Sequence, residues 1–439
     1  MTQDAFSLSA EWPTASDAVP QTHDVAHIRL SANDQLLTKL VDFERKEERD
    51  YVRGSAVLLA FWFADNWWRL RHESLPDDAP PTADWRLRHE LTSASGGTLW
   101  PPVMIHSTGE RLLLTPAYGG AVDLGPVRYE LPPVISVGGA AFEAGLDQFF
   151  EDVLGACTKF ADSAALRAVI AAVKSERADP DMAAWRRLEA RLGYDPDTVP
   201  DGVMKTLGGL EKKVGQDVLA EAASATPGDG AGETLARTVK AVNDSEIVVD
   251  LALANDIPRA RIRDAAAAPW TLGREAAYQL RQAQGLRDGP IYAKAFADLF
   301  KARSEDLSKP GAARGLPYSG RGRVRTKGDF QRVALQAANA RDRRFELACV
   351  LGDQIWANSD FGVVTRAKTD RQKFQRAFAQ NLLAPYSDVR DHIDPTGPTQ
   401  LQMEQAAKHF HVHPNVIRRL LVLEGVLPKE TFEQRVEAA

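Results

Sequence analysis

A cysteine and an aspartate spaced four residues apart are the side chains with the clearest potential for chemistry in this 439-residue sequence. On a helix, Cys349 and Asp353 would lie on the same face, because residues at i and i+4 are neighbours there. A thiolate and a carboxylate can both bind zinc. Val350, next to the cysteine, cannot accept a proton, so the set would lack the general base that a hydrolytic metal site uses.

The same stretch also has the pattern of a buried amphipathic helix. Phe345, Ala348, Leu351 and Ile355 recur at intervals that place apolar side chains along one helical face. We favour this interpretation over a working metal site, because several of the side chains that a hydrolytic metal site needs are absent together.

Residues 343–385 resemble the metal-binding region of the ImmA/IrrE family of bacterial zinc peptidases. In that family, a helix of the form RFxLAHELGH supplies two histidine ligands and a glutamate base, and a second helix of the form EAxxFAxxLLMP supplies an acidic ligand. The matching residues are Arg344, Phe345, Leu347, Ala348, Leu351 and Gly352 in the first motif, and Phe378, Ala379, Leu382, Leu383 and Pro385 in the second.

The resemblance does not extend to the chemical positions of the two motifs. Cys349 and Asp353 stand at the two histidine positions, and Val350 stands at that of the glutamate. Phe374, or at best Gln372, stands where the acidic ligand would be. The resemblance therefore implies a catalytically degenerate domain with no catalytic residue, no cofactor and no bound metal. If the site is a vacated cleft, restoring His, Glu and His at positions 349, 350 and 353 should leave the domain folded.

The resemblance implies a non-catalytic regulatory, sensing or assembly subunit with a protein partner. The setting would be bacterial stress, mobile-element or phage-defence regulation. One alternative is a metallopeptidase that uses Cys/Asp ligation to cleave a repressor. Another is a DNA-binding transcriptional regulator.

A basic segment supports the DNA alternative. Residues 301–344 contain 12 Lys and Arg against 4 Asp and Glu, a local charge of +8, whereas the whole chain carries −6. Such asymmetry is typical of proteins with an anionic partner, although a solvated flexible loop would have the same composition. The residues that could contact nucleic acid are Arg314, Arg321, Arg323, Arg325, Lys327, Arg418 and Arg419.

The last two of these arginines belong to a helix-turn-helix-like pattern near the end of the chain. Residues 404–428 read as a helix, a tight turn and a second helix beginning near Pro414. That second helix would carry Asn415, Arg418 and Arg419, which could enter a major groove. A packing pair of helices that closes the domain is the alternative.

Composition predicts a cytoplasmic protein. The chain is 44% hydrophobic and 26% charged, as is usual for globular proteins. Its two cysteines, Cys157 and Cys349, cannot build a disulfide framework, which fits a reducing compartment. The first residues lack the basic and apolar regions of a secretion signal, and no stretch approaches the ~20 apolar residues of a membrane span.

We predict an α+β multidomain fold with four segments. An aromatic-rich mixed α/β domain that is rich in strands spans residues 1–145, a helical domain spans 146–307, and a basic Gly/Arg linker spans 308–328. A degenerate zincin-like domain with the helix-turn-helix-like tail spans 329–439. Gly and Pro punctuation between residues 95 and 145 indicates short strands, and residues 28–52 read as a strand followed by a charged helix.

The first segment also contains a duplicated hexapeptide. WRLRHE occurs at residues 68–73 and 85–90, and five of the nine tryptophans lie between Trp62 and Trp100. Read as strands, the two copies would place the aromatic residues on one face and the arginines on the other.

Overall fold

The computed structural model describes residues 4–13, 24–76, 80–94, 97–117, 121–156, 163–258, 267–286, 288–308, 313–324 and 330–428. The chain divides after residue 199 into two compact units. Both units combine helices with small antiparallel sheets, which confirms the mixed α and β character of the fold. Within the described ranges, no helix has the length and apolar character needed to span a membrane.

Unit 1, residues 1–199, has three small antiparallel sheets in its described part. Their strands are β1 (Phe6–Glu11), β2 (Val25–Ala32), β3 (Gln35–Leu36), β4 (Leu40–Asp42), β5 (Glu47–Arg49), β6 (Val52–Ser55), β7 (Val103–Ser107), β8 (Arg111–Pro116), β9 (Ala121–Leu124), β10 (Val127–Glu130) and β11 (Ile135–Gly138). The first sheet has the order β1-β2-β3 with β6 also paired to β2, the second β5-β4-β10-β9, and the third β11-β8-β7. The strands predicted between residues 95 and 145 are confirmed. The charged helix predicted after the first strand is wrong, because that segment forms β3 to β6.

The helices of unit 1 cover the sheets. They are α1 (Ala56–Asp65), α2 (Trp67–His72), α3 (Ala83–His89), α4 (Gly139–Ala156), α5 (Ser163–Ala178) and α6 (Pro180–Arg191). Helix α4 follows β11 directly and packs on β1, where the rings of Phe6 and Phe142 lie 4.8 Å apart. A Cβ atom at Gly145 would lie 2.4 Å from the Phe6 carbonyl oxygen, so glycine permits this close approach. The structure therefore places no domain boundary at residue 145.

The two WRLRHE copies form short helices and not strands. In each copy the tryptophan stacks on the histidine four residues later. The ring centroids are 5.7 Å apart for Trp68 and His72, and 4.1 Å apart for Trp85 and His89. Each copy also contains an Arg–Glu ion pair at i and i+4. Helical geometry brings these partners together, whereas the alternation of a strand would not.

A buried carboxylate joins the two copies. Glu73 accepts a hydrogen bond from Arg69 Nε at 2.6 Å and lies 2.9 Å from Nε2 of the fully buried His89. The other ring nitrogen of His89 lies 2.7 Å from the Ile105 carbonyl oxygen. Burial acts to raise the pKa of Glu73, but His89 and Arg69 outweigh it and hold this pKa below its ordinary value. The duplicated sequence thus forms one connected polar core.

Unit 2, described from residue 200 to residue 428, is built around one antiparallel sheet in its described part. The strands are β12 (Val248–Asp250), β13 (Ser319–Arg323), β14 (Phe330–Ala334) and β15 (Phe361–Val364), in the order β12-β14-β13-β15. The helices are α7 (Asp201–Val214), α8 (Gln216–Ala225), α9 (Ala231–Asp244), α10 (Pro269–Ala283), α11 (Ala293–Leu299), α12 (Ser304–Ser308), α13 (Ala340–Ala357), α14 (Asp370–Leu383), α15 (Tyr386–Val389), α16 (Gln400–Phe410) and α17 (Pro414–Leu423). Strand β14 leads into helix α13, which begins at Ala340.

The segment predicted as a basic linker contains an interior strand of this sheet. In β13, glycines alternate with arginines, and the glycines face α9. A Cβ atom would lie 2.8 Å from Val242 at Gly320, and 2.9 Å from the same side chain at Gly322. The Gly/Arg composition therefore reflects close packing of a strand under a helix. Strand β12 joins the same sheet, so the structure does not separate residues 146–307 from residues 329–439 as the predicted domains would require.

Candidate functional site

Helix α13 places the positions of the first motif inside the core of unit 2. Asn339 caps the helix by accepting a hydrogen bond from the Asp342 amide at 2.9 Å. Cys349 is 1% exposed, and Val350 and Asp353 are fully buried. The ring of Phe374, which α14 supplies, is fully buried as well. The motif positions thus line no open cleft.

Asp353 is the centre of a buried polar cluster. Its Oδ2 accepts a hydrogen bond from Arg321 Nε at 2.8 Å. Its Oδ1 accepts bonds from Arg371 Nε and from Gln375 Nε2, both at 2.7 Å. Arg321 comes from β13, whereas the other two donors lie one turn apart on α14. These four residues are called the Asp353 cluster below.

Both arginines of the cluster stay charged at neutral pH. Burial lowers the pKa of Arg321 while Asp353 acts to raise it, and the net direction is down. The pKa of Arg371 is raised, because Asp353 and Glu221 outweigh burial. Arginine begins from so high a pKa that neither shift removes the proton. A second bond, from Arg321 Nη1 to the Ser359 carbonyl oxygen at 2.7 Å, satisfies more of this guanidinium.

A second buried carboxylate lies beside the cluster. Glu221 on α8 accepts hydrogen bonds from Thr369 Oγ1 at 2.9 Å and from Gln372 Nε2 at 3.0 Å. Burial raises the pKa of Glu221, although Arg371 opposes this shift. Gln372 also accepts a bond from the Thr365 amide at 3.0 Å. Both the oxygen and the nitrogen of the Gln372 side chain, which was considered as a possible third ligand, are therefore engaged in hydrogen bonds.

The residues at this position do not fit a zinc ion. Burial raises the pKa of Cys349 far above its usual range, which keeps the thiol protonated and a poor ligand. Both oxygens of Asp353 accept bonds from cationic groups that cannot coordinate a metal and that would repel one. Nowhere in the described residues do three or more His, Cys, Asp or Glu side chains gather as a metal site would require. The atypical Cys/Asp ligation considered above has no support in this geometry.

A glycine on β15 makes room for the cluster. A Cβ atom at Gly362 would lie 1.9 Å from Asp353 Oδ2 and 2.6 Å from Arg321 Nε. No side chain other than hydrogen fits there while the Arg321–Asp353 pair keeps its geometry.

We expect Gly362→Ala to destabilise unit 2 by at least about 1–3 kcal/mol, the usual effect of forcing an extra methyl group into a packed core. The matched control is Gly208→Ala on the exposed face of α7, where an added Cβ meets nothing within 4 Å. Alanine should stabilise that helix by about 1 kcal/mol. Urea unfolding of both variants checks the prediction, and a Gly362→Ala protein as stable as the parent would contradict it.

The structure changes the list of candidate nucleic-acid contacts. Arg321 is fully buried, so its predicted contact with phosphate is incompatible with this fold. Arg323 remains near the surface but lies 3.2 Å from the Asp360 carboxylate. Of the others, Arg314, Arg418 and Arg419 are exposed, and Arg325 and Lys327 lie outside the described residues. Nucleic-acid binding by the exposed arginines stays a prediction.

The end of the described chain is a pair of helices. Helices α16 and α17 are joined by three residues, with His411 in the left-handed conformation at φ 54°. His413 caps α17 by accepting a hydrogen bond from the Asn415 amide at 3.2 Å. The apolar face of α17 is buried, which leaves Asn415, Arg418 and Arg419 on its exposed side. This arrangement is compatible with either a packing pair or a groove-binding helix.

Sequence reasoning missed the partners of Asp353. The signal for Arg321 was the alternation in SGRGR, which has the period of a strand. The signal for Arg371 and Gln375 was their i, i+4 spacing on the second motif helix. No protein family, curated protein or solved structure matches this chain.

Proposed function

We propose that this chain is a non-catalytic regulatory, sensing or assembly subunit. Its second unit would be built on a scaffold that resembles an ImmA/IrrE-type zinc peptidase, with the metal site replaced by the Asp353 cluster. The observation that carries the proposal is the place of this cluster. Asp353 stands at a ligand position of the first motif, and its partners Arg371 and Gln375 come from the helix of the second motif.

The chemistry of the cluster supports a role without catalysis. Hydrolysis at a metal centre needs an open coordination position, a water molecule and a base. Here the position is filled by buried ion pairs, and Val350 offers no base. What such a domain retains is its surface, which can bind a protein partner. The setting in bacterial stress or phage-defence regulation follows from the resemblance alone.

Metal analysis tests the first half of the proposal. Full-length protein expressed in zinc-supplemented medium should contain far less than one zinc per chain, and Cys349→Ala should not change that value. The parent protein should also cleave no candidate repressor. One zinc per chain that disappears in Cys349→Ala, together with repressor cleavage, would establish the peptidase alternative.

Co-purification tests the second half. The tagged full-length chain, expressed in its source cells at natural levels, should elute with a partner protein in fixed stoichiometry that survives a salt wash. Elution of the chain by itself, with an unchanged elution volume in crude lysate, would contradict an assembly role.

A further inference from the structure

A cavity of about 590 Å³ opens in unit 1 beside strand β6. This volume lies within the ~300–1,000 Å³ typical of small-molecule sites. Its floor is formed by the buried residues Leu40, Val52, Val127 and Tyr129. Leu40 pairs with Tyr129 on one side and with Arg49 on the other, so one row across the second sheet forms the floor and one wall.

Two arginine residues line this cavity. Arg49 is 11% exposed and pairs with Asp42 through Nη2, but its buried Nε makes no hydrogen bond within the described part of unit 1. The carboxylate of Glu47 lies 3.6 Å from that Nε, beyond hydrogen-bond distance. Arg53 forms no ion pair with any described residue. The lining also contains Asp24, so Arg53 and the Nε of Arg49 are the donors that an anionic ligand could use.

The start of α1 is a second feature of the cavity that favours an anion. This ten-residue helix begins at the cavity, where Ser55 caps it by accepting a hydrogen bond from the Leu58 amide at 3.1 Å. The amide groups of a helix N-terminus favour an anion. His27, opposite Arg53 on β2, has its pKa lowered by burial and then by Arg53 and Arg29.

The mouth of the cavity is apolar and is held in place. Leu58 and Leu99 are 36% and 42% exposed at its edge. The hydroxyl of Tyr129 donates to the Leu99 carbonyl oxygen at 2.6 Å, which fixes the loop that forms one wall. A Cβ atom at Gly54 would lie 2.7 Å from Thr98 Oγ1, so the glycine allows the loop to pack this closely. The cavity is therefore preformed.

We propose that this cavity binds a small organic anion. The acid group would lie against Arg53 and Arg49 at the start of α1, and an apolar or aromatic body would lie between Leu58, Leu99 and the floor. The chemistry is that of a carboxylate, sulfonate or phosphate attached to a ring or chain. Such a ligand would give unit 1 a sensing role that is independent of the Asp353 cluster.

The test uses 8-anilinonaphthalene-1-sulfonate, whose fluorescence rises in apolar surroundings, with the full-length protein. We expect saturable binding at one site, and at least about tenfold weaker binding by Arg53→Gln, because a hydrogen bond to a charged group is lost. Leu58→Asp, at an exposed position, should also weaken binding by placing a negative charge at the mouth.

The matched control is Arg128→Gln on β10. Arg128 is exposed, pairs with Asp123, and lies between Val127 and Tyr129, which point to the opposite face. The Arg128→Gln variant should bind the sulfonate as tightly as the parent protein.

A neutral probe separates anion recognition from adhesion to apolar surface. N-phenyl-1-naphthylamine has the same rings without the sulfonate, and we expect it to bind at least about tenfold more weakly than the sulfonate. Three results would overturn the proposal: no saturable binding of the sulfonate, equal affinity of Arg53→Gln and the parent, or equal affinity for both probes. Circular dichroism of each variant establishes that it is folded.

Discussion

The variant that restores the peptidase motif, Cys349→His with Val350→Glu and Asp353→His, will fail to fold unit 2. All three positions are buried, and Val350 has no solvent contact through which a glutamate could be hydrated. A buried charge without a partner costs several kcal/mol, and removing Asp353 leaves Arg321 and Arg371 without their counterion at a cost of about 3–5 kcal/mol. The sum reaches the whole stability of a typical domain, about 5–15 kcal/mol. The expectation from the sequence that this variant stays folded assumed a vacated cleft, whereas the three positions are packed in the core of unit 2.

A control for this experiment lies on the surface of the same unit. Lys205→His, Thr206→Glu and Gly209→His install the identical motif on the exposed face of α7. Hydrogen exchange followed by mass spectrometry should show lost protection in peptides of α13 and α14 for the first variant only. Full protection of those peptides in the restored-motif variant would mean that the core can reopen into a cleft.

Asp353→Asn should destabilise unit 2 by about 3–5 kcal/mol although it preserves the shape of the side chain. The amide removes the negative charge that two buried guanidinium groups share, and among the described residues no other carboxylate accepts a bond from Arg321. The urea midpoint, followed by the protection of α13 peptides, provides the measurement.

The matched control for this prediction is Asp360→Asn, which removes the partner of Arg323 in an ion pair whose aspartate is 79% exposed. Exposed pairs of this kind contribute little, because water screens them. Equal shifts of the urea midpoint in the two variants would show that burial does not amplify the Asp353 interaction and would contradict the account given above.

Sequence patterns over a few neighbouring residues predicted individual helices and strands. The spacing of Phe345, Ala348, Leu351 and Ile355 predicted α13, and the breakers between residues 95 and 145 predicted the short strands β7 to β11. The duplicated WRLRHE was misread because both a strand and a helix place its aromatic residues on one side. Only the helix also pairs Arg69 with Glu73, and that i, i+4 pair was the signal to follow.

The candidate site was predicted only in part because its partners are distant in sequence. Asp353 and Arg321 are separated by 32 residues, and the segment between them includes a strand and the turn into α13. The Gly-rich composition around Arg321 is the same for a flexible loop and for a strand that packs tightly under a helix. The alternation in SGRGR has the period of a strand, but the contact between β13 and α9 that buries the glycines is tertiary and cannot be read from that alternation.

The strand order of unit 2 also determines when its sheet can form during synthesis. Strand β12 has β14 as its pairing partner, and about 80 residues separate the two in sequence. At roughly 5–20 residues per second, a ribosome needs roughly 4–16 s to make that segment. By then the strands of unit 1 that the structure describes have already been made, since β11 ends at residue 138. A nascent chain therefore carries the described strands of unit 1 before the pairing partner of β12 has been made, and the sheet of unit 2 is complete only when β15 follows.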